Sequence, residues 1–407
     1  MTDGIDPQSL TAHPADDPRN RPIVRLKAGR GKRLGEGMPV IYSNSVELDE
    51  RAKSLEPGTL ATVMTSDGGN VGVATFNPRS LACLRILDWD VATVIDDDFF
   101  MRRIARALAI RDASIGEPFY RLINGEADGL PGLVIDRFKG RAVIQAMTAG
   151  MERLLPVIMG VLQADAVVLR NNHRYRETEG LTKYIHLAVG AIDKPSEVTE
   201  DGAVFRVDLT REEGDIWPFD QRDDRRFVSR LKFHGKALDL FAGAGGFTIA
   251  AARSADRVIA VCGGETDLGL ALHNARINRV IDRCVIGAGN PTADLIERSG
   301  LSERYALVTM SPPPLVLTRK EADRGELEYR ELARLAGQVI SAGGYLYLAS
   351  RSPVIGIDRL VAETAAGLNA AGRNSRLIRI SGPSVDHPAH PLIPDSSPLK
   401  SVIFALD

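Results

Sequence analysis

The run Lys236-Ala-Leu-Asp-Leu-Phe-Ala-Gly-Ala-Gly-Gly-Phe-Thr-Ile-Ala-Ala251 sets an apolar strand against a glycine turn and the start of a helix. Gly243, Gly245 and Gly246 leave out the Cβ atoms that would keep a ligand away from the backbone, and the N–H groups opening the helix would face that ligand. The chemistry this suits is the cradling of a nucleotide. The pattern is not GxGxxG, and no GxxxxGK[ST] occurs in the chain, which lowers the dehydrogenase and P-loop readings. Dinucleotide, nucleotide and S-adenosylmethionine binders all use a glycine turn of this kind, and a tight turn without a ligand also stays open.

Other residues offer less. Cys83, Cys262 and Cys284 lie far apart with no CxxC or Cys/His cluster, which argues against a disulfide framework and against a zinc site, so no metal is expected. His387 and His390, flanked by Pro388 and Pro391, read as part of a structured loop. Lys27, Arg30, Lys32 and Arg33 put four cations in one glycine-permitted loop, either a solvated surface or a contact for phosphates. The charged run from Phe219 to Phe227 reads on its own as a solvated helix start.

Three groups of elements must position these residues. From Pro22 to about Asp88, short β-rich runs (23–26, 39–42, 60–64, 71–75, 84–87) alternate with turn residues and predict a small β-barrel or pseudo-barrel. A helix from Asp98 to Ala113 follows. A second β-rich unit holds strands near 120–123, 133–137, 142–146, 166–169 and 203–207, one helix over 151–164, and a turn between strands from Gly190 to Glu200. From Lys236 strand and helix alternate, which predicts a doubly wound α/β domain with its ligand at the carboxyl ends of the strands. The expected divisions are a disordered leader over 1–21, a β-barrel over 22–95, a central α+β unit over 96–214 and a Rossmann-like domain over 215–407. At 407 residues and a net charge of −2 the chain is long enough for two or three cores and lacks a global cationic field, so any nucleic-acid surface must be local. With no apolar leader and no long apolar stretch, it reads as soluble and cytoplasmic.

Taken in order, these parts resemble the PUA-containing cytosine-C5 methyltransferases of 23S ribosomal RNA. The likeness runs from about Ile23 to the C-terminus. It rests most on Asn124-Gly-Glu-Ala-Asp-Gly-Leu-Pro-Gly-Leu-Val-Ile-Asp-Arg137, and further on Glu179-Gly180, Phe219-Asp-Gln-Arg222, Leu240 to Phe247, Asn274 with Asn278, Pro312-Pro313, Tyr329, Asp386-His-Pro388 and Leu399-Lys400. The resemblance implies a PUA-like β-barrel, a central α+β unit and a C-terminal Rossmann-like domain binding S-adenosylmethionine through Phe241, Gly243, Gly245, Gly246, Cys262, Glu265 and Ser311. It also implies ribosomal RNA as partner, met by Lys27, Arg30, Lys32, Arg33, Asp220 and Arg222, with no membrane partner and a homodimer as one option.

Family chemistry at cytosine C5 needs a thiolate that adds to C6, an acid near N3 and a base for the C5 proton. By resemblance the thiolate position falls in Ser350-Arg-Ser352, where Arg351 stands, and the acid position falls in Ser311-Pro-Pro-Pro314. Arginine stays protonated and forms no such adduct. The strand end that would present an acid to the ribose reads Val261-Cys-Gly-Gly264, with Glu265 next, and Ile286-Gly-Ala-Gly-Asn290 lacks an aspartate for the adenine amine, Asp294 being the nearest. The expectation is therefore an RNA methyltransferase by family whose cofactor binding is weakened and whose C5 transfer is reduced or lost. The alternative is a catalytically inactive RNA-binding or ribosome-assembly protein on the same scaffold. Transfer to an exocyclic amine or a ribose oxygen is a third reading, opposed by Pro314 where an aromatic residue belongs.

Overall fold

The computed structural model describes residues 16–29 and 36–407, so most of the expected leader, together with Arg30, Lys32 and Arg33, lies outside the described residues. The chain forms two compact units. The first runs to Lys194 and adds Asp208–Gly214 and Val385–Ser396, and the second holds Pro195–Val207, Asp215–Ser384 and Ser397–Asp407.

In the first unit, β1 (Ile23–Arg25), β2 (Val40–Ile41), helix α1 (Glu50–Ser54), β3 (Thr59–Met64), β4 (Asn70–Phe76) and β5 (Leu84–Asp88) supply a five-stranded sheet in the order β1-β3-β4-β5-β2. Alternation of apolar and polar residues buries Val24, Val63, Ala74, Phe76 and Leu84 on one side. Helix α2 (Asp97–Ser114) begins where Asp96 accepts a bond from the Phe99 amide at 3.0 Å, with Asp97 and Asp98 in its first turn.

A second sheet in this unit has the order β10-β9-β8-β7-β6, from β6 (Phe119–Asn124), β7 (Leu133–Phe138), β8 (Arg141–Ala146), β9 (Ala166–Asn171) and β10 (Tyr184–Val189). Only β8 and β9 are parallel, and α3 (Ala149–Val161) makes the crossover that such a pair requires. β10 was not anticipated from sequence. It is an edge strand with no fully buried residue, although its sequence, Tyr184-Ile-His-Leu-Ala-Val189, is largely apolar.

Glu179, just after helix α4 (Tyr175–Thr178), is buried and accepts from Asn77 Nδ2 at 2.9 Å, Ser80 Oγ at 2.8 Å and Arg85 Nη2 at 3.2 Å. One carboxylate thus gathers the β4–β5 connection and holds it to the segment after β9.

The second unit opens with the hairpin β11 (Ser196–Glu200) and β12 (Ala203–Val207), so the expected turn over 190–200 is corrected: its second half is a strand. The hairpin belongs with this unit because two asparagines fasten it. Asn274 accepts from the Arg206 amide at 2.7 Å and Asn278 from the Val204 amide at 3.0 Å. The chain then runs through α5 (Arg222–Arg230), β13 (Lys236–Leu240), α6 (Gly246–Ala251) and β14 (Arg257–Cys262) to the helix Glu265–Ile277, which carries Asn274 and is capped by Asn278. The chain continues through α7 (Glu265–Ile277), β15 (Cys284–Ala288), α8 (Pro291–Ser299), β16 (Tyr305–Met310), α9 (Ala322–Val339), β17 (Ile340–Ser350), α10 (Ile357–Ala370), β18 (Ser375–Ser381) and β19 (Lys400–Leu406). The sheet order is β15-β14-β13-β16-β17-β19-β18. Its first five strands are parallel, and β19 inserts antiparallel between β17 and β18. Helix α8 and strand β19 were not anticipated. Strand order reverses between β13 and β16, which puts a crevice at their carboxyl ends. Among the described residues no helix is long and apolar enough to cross a membrane.

Replacing Glu179 by Ala removes the shared acceptor and leaves several buried donors unpaired, a change of about 3–5 kcal/mol for a broken buried charge pair. Amide hydrogen exchange should show lost protection in β4 and β5 with β13–β17 unaffected. Wild-type protection in β4 and β5 would contradict this role.

Candidate functional site

The glycine turn takes its shape from backbone geometry. Phe241 leaves β13 with φ +61°, an uncommon conformation for a residue with a side chain, and Gly243 and Gly245 follow at +52° and +87°. A Cβ added at Gly243 would meet nothing within 4 Å, whereas one at Gly246 would lie 2.9 Å from Arg225 Cδ and 3.3 Å from Trp217. Gly243 therefore borders open space, while Gly246 is small because the protein itself packs there. Gly263, Gly264 and Gly287 border open space as well. The turn is held from behind by Asn274 Nδ2, which donates to the Ala244 carbonyl at 2.9 Å.

Beneath it, buried Asp239 accepts from Thr248 Oγ1 at 2.6 Å and Thr309 Oγ1 at 2.7 Å, tying β13 to α6 and β16. Burial pushes its carboxyl up to about 6 despite those two hydroxyl bonds. Cys262, expected beside the cofactor, is fully buried with Sγ 3.5 Å from the Gly243 carbonyl. Its thiol is pushed up to about 12, first by burial and then by Asp239 and Asp267. It packs under the turn. Glu265 is the exposed first residue of α7. Asp294 is taken up by an ion pair with Arg298, and Asn290 caps α8 through the Thr292 and Ala293 amides.

At the carboxyl ends of β16 and β17 the side chains interlock. Ser311 Oγ accepts from Gln221 Nε2 at 2.7 Å, and the same amide lies 3.2 Å from the Tyr347 hydroxyl. Tyr347 donates to Asp224 Oδ2 at 2.9 Å, and Asp224 also accepts from Ser381 and Ser401, each at 2.6 Å. Arg351 donates through Nε and Nη2 to the two oxygens of Asp220, both at 2.7 Å, with Asp215 3.8 Å from Nη1. Burial alone would lower the Arg351 pKa, but the Asp220 carboxylate outweighs it and holds the guanidinium charged beyond its ordinary range. Position 351 thus carries a fixed cation.

Two residues expected to contact RNA are engaged within the protein. Asp220 pairs with Arg351, and Arg222 is buried at 3% exposure with its guanidinium over the Phe219 ring at 5.4 Å. Lys27 is exposed in the first unit and donates to the Asn44 carbonyl at 3.2 Å. Asp224, Glu200 and Trp217 were not singled out from sequence. Glu200 accepts from Arg225 at 2.6 and 2.7 Å and from Trp217 Nε1 at 3.1 Å. Burial raises its carboxyl, and the Arg225 guanidinium more than reverses this, leaving it below the usual range. The signal available was spacing: Asp224, Arg225 and Val228 fall on one side of α5.

The chain is similar to known proteins along nearly all its length. The profile of a PUA-like domain matches residues 24–89, and that of the S-adenosylmethionine-dependent methyltransferases matches residues 122–404. A ribosomal RNA large subunit methyltransferase I from Shewanella amazonensis is 29% identical over 393 residues, covering 93% of this chain and 98% of that protein. The protein of the same name from Erwinia tasmaniensis is 29% identical, with 92% and 97% covered. Among solved structures, a proposed SAM-dependent methyltransferase from Streptococcus mutans matches with TM-score 0.78 and 14% identity over 94% of this chain and 100% of that one. A proposed methyltransferase complexed with SAH matches with TM-score 0.77 and 14% identity over 94% and 99%. At such identities these structures speak for the fold alone: an N-terminal PUA-like domain with a Rossmann-like methyltransferase domain.

Asp239 gives a pH signature. Its carboxyl titrates near 3.8 when unfolded and about 6 when folded, so between those values the folded state holds more protons. Stability should therefore fall as pH rises from about 4 through 6, by about 3 kcal/mol from this group. Denaturant unfolding of Asp239→Asn across that range should lack this component, and a variant with the wild-type pH slope would contradict the assignment.

Proposed function

Because the chain belongs to the S-adenosylmethionine-dependent methyltransferase family, we propose that it binds S-adenosylmethionine at the glycine turn, engages large-subunit ribosomal RNA in the cytoplasm, and does not methylate cytosine C5 through a covalent thiolate adduct. When bound, the cofactor supplies an electrophilic methyl group. Phe241, Gly243, Gly245 and Gly246 would hold it, and the open space beside Gly243, Gly263, Gly264 and Gly287 supports that fit. Cys262 offers the ribose no acceptor, being buried under the turn, so Glu265 is the acceptor assigned to the hydroxyls.

The observation that carries the second half is the Arg351–Asp220 pair. The position that resemblance gives to the nucleophile holds a guanidinium bound at 2.7 Å through two nitrogens. A protonated guanidinium cannot add to C6, and Ser311, at the acid position, is a weak proton source. Cys83 and Cys284 are also pushed up, each to about 11 and chiefly by burial, which disfavours the thiolates that an adduct needs. RNA as the partner is supported by the PUA-like domain and by the names of the full-length relatives.

Calorimetry with S-adenosylmethionine should show binding that Gly243→Val weakens at least tenfold, since a branched side chain would enter the open space. No heat at millimolar ligand would remove the cofactor half. Mass spectrometry of ribosomal RNA should find the same 5-methylcytosine content in deletion and wild-type cells. A 5-methylcytosine that vanishes in the deletion strain would overturn the second half.

A further inference from the structure

Helix α5 carries charge on two sides. Arg222, Asp224 and Arg225 are buried, whereas Arg226 and Arg230, one turn apart, have side chains 45% and 70% exposed. Lys232 follows the helix and is exposed, and Arg379 of β18 lays its guanidinium 4.9 Å from the centre of the half-buried Phe227 ring. These residues, with Asp223 and Leu231, line an open groove of about 410 Å³.

The groove's charge is unbalanced. Four cations line it against one lining carboxylate, Asp223, which stands 3.7 Å from Arg226. Asp201 lies 3.8 Å from Arg230 and 4.0 Å from Arg226, but its nearer bond, at 3.0 Å, is to Arg253. A single carboxylate shared among three guanidiniums cannot neutralise them. Asp224, 3.8 Å from Arg379, is buried and already accepts three hydroxyl bonds, and burial raises its carboxyl against those bonds. The chain as a whole has a net charge of −2, so this cationic surface is local.

We infer that the groove seats a single-stranded segment of RNA, with Arg226, Arg230 and Lys232 on backbone phosphates and the Phe227–Arg379 pair as a platform for one base. Exposed cations at one-turn spacing meet successive anions without reading sequence, and a guanidinium laid over an aromatic ring offers its outer plane as a surface on which an unpaired base stacks. The inference rests on the RNA reading above and deepens it, adding a contact on the second unit along the solvent side of the helix that follows Asp220.

The test is fluorescence anisotropy of the full chain with a labelled oligouridylate and with a 23S ribosomal RNA fragment, between about 50 and 200 mM salt. The triple variant Arg226→Ala, Arg230→Ala, Lys232→Ala should bind at least tenfold more weakly at the low end. Its slope of log affinity against log salt should be shallower by about 2, since each lost single-strand phosphate contact is worth about 0.7. Phe227→Leu should weaken binding with the slope unchanged, and Arg230→Glu repeats the charge test at the most exposed position should the triple variant unfold. Wild-type affinity and slope in both charge variants, while Lys27→Ala lowers affinity, would overturn the groove and leave the RNA reading standing. Equal competition by polyglutamate would also overturn it, in favour of an acidic protein partner. Failure of the wild type to bind either RNA would instead sink the RNA reading on which the groove depends.

Discussion

A charged helix buried against strand ends is the constraint on which the candidate site depends. Helix α5 can lie there only because each inward charge meets a partner: Asp224 the hydroxyls of Tyr347, Ser381 and Ser401, and Arg225 the carboxylate of Glu200. Just before the helix, Asp220 meets Arg351. Removing one member of such a pair strands the other, so the residues hold one another in place. Arg351 is therefore tied to the fold as well as to the chemistry proposed for its position. A cysteine placed there by substitution would leave Asp220 half-buried without its cation, so Arg351→Cys would disturb the fold as well as the chemistry.

The same network separates the two parts of the proposed function. Cofactor holding depends on β13, the glycine turn and α7, which Asp239 and Asn274 brace from below and behind. Covalent chemistry depends on the ends of β16 and β17, where Ser311 and Arg351 stand. The two parts thus rest on different side chains, Asp239 and Asn274 for the first and Asp220 and Arg351 for the second.

Much of this was legible in the sequence, and the reasons for the misses are physical. The parallel strands read clearly because they are buried on both faces, as in Tyr305–Met310, where every residue is buried. Strand β10 carried a readable apolar run, Tyr184-Ile-His-Leu-Ala-Val189, that the turn residues on either side obscured, and β19 follows a loop crowded with prolines. The run Arg222–Arg230 was the hardest: composition says solvated, and only its period shows that one side is inside. The burial of Cys262 was not legible for a similar reason, since strand-end position does not say whether a small side chain turns outward or tucks beneath the next turn.

The central claim, that no thiolate of this chain attacks cytosine C6, is tested most directly with 23S ribosomal RNA fragments carrying 5-fluorocytidine, incubated with the protein and S-adenosylmethionine. Fluorine at C5 cannot leave as a proton does, so an enzyme using the covalent route would stay attached to the RNA. No covalent species should appear on a denaturing gel, with or without the cofactor. A stable protein–RNA adduct, mapped to Cys83, Cys262 or Cys284, would contradict it.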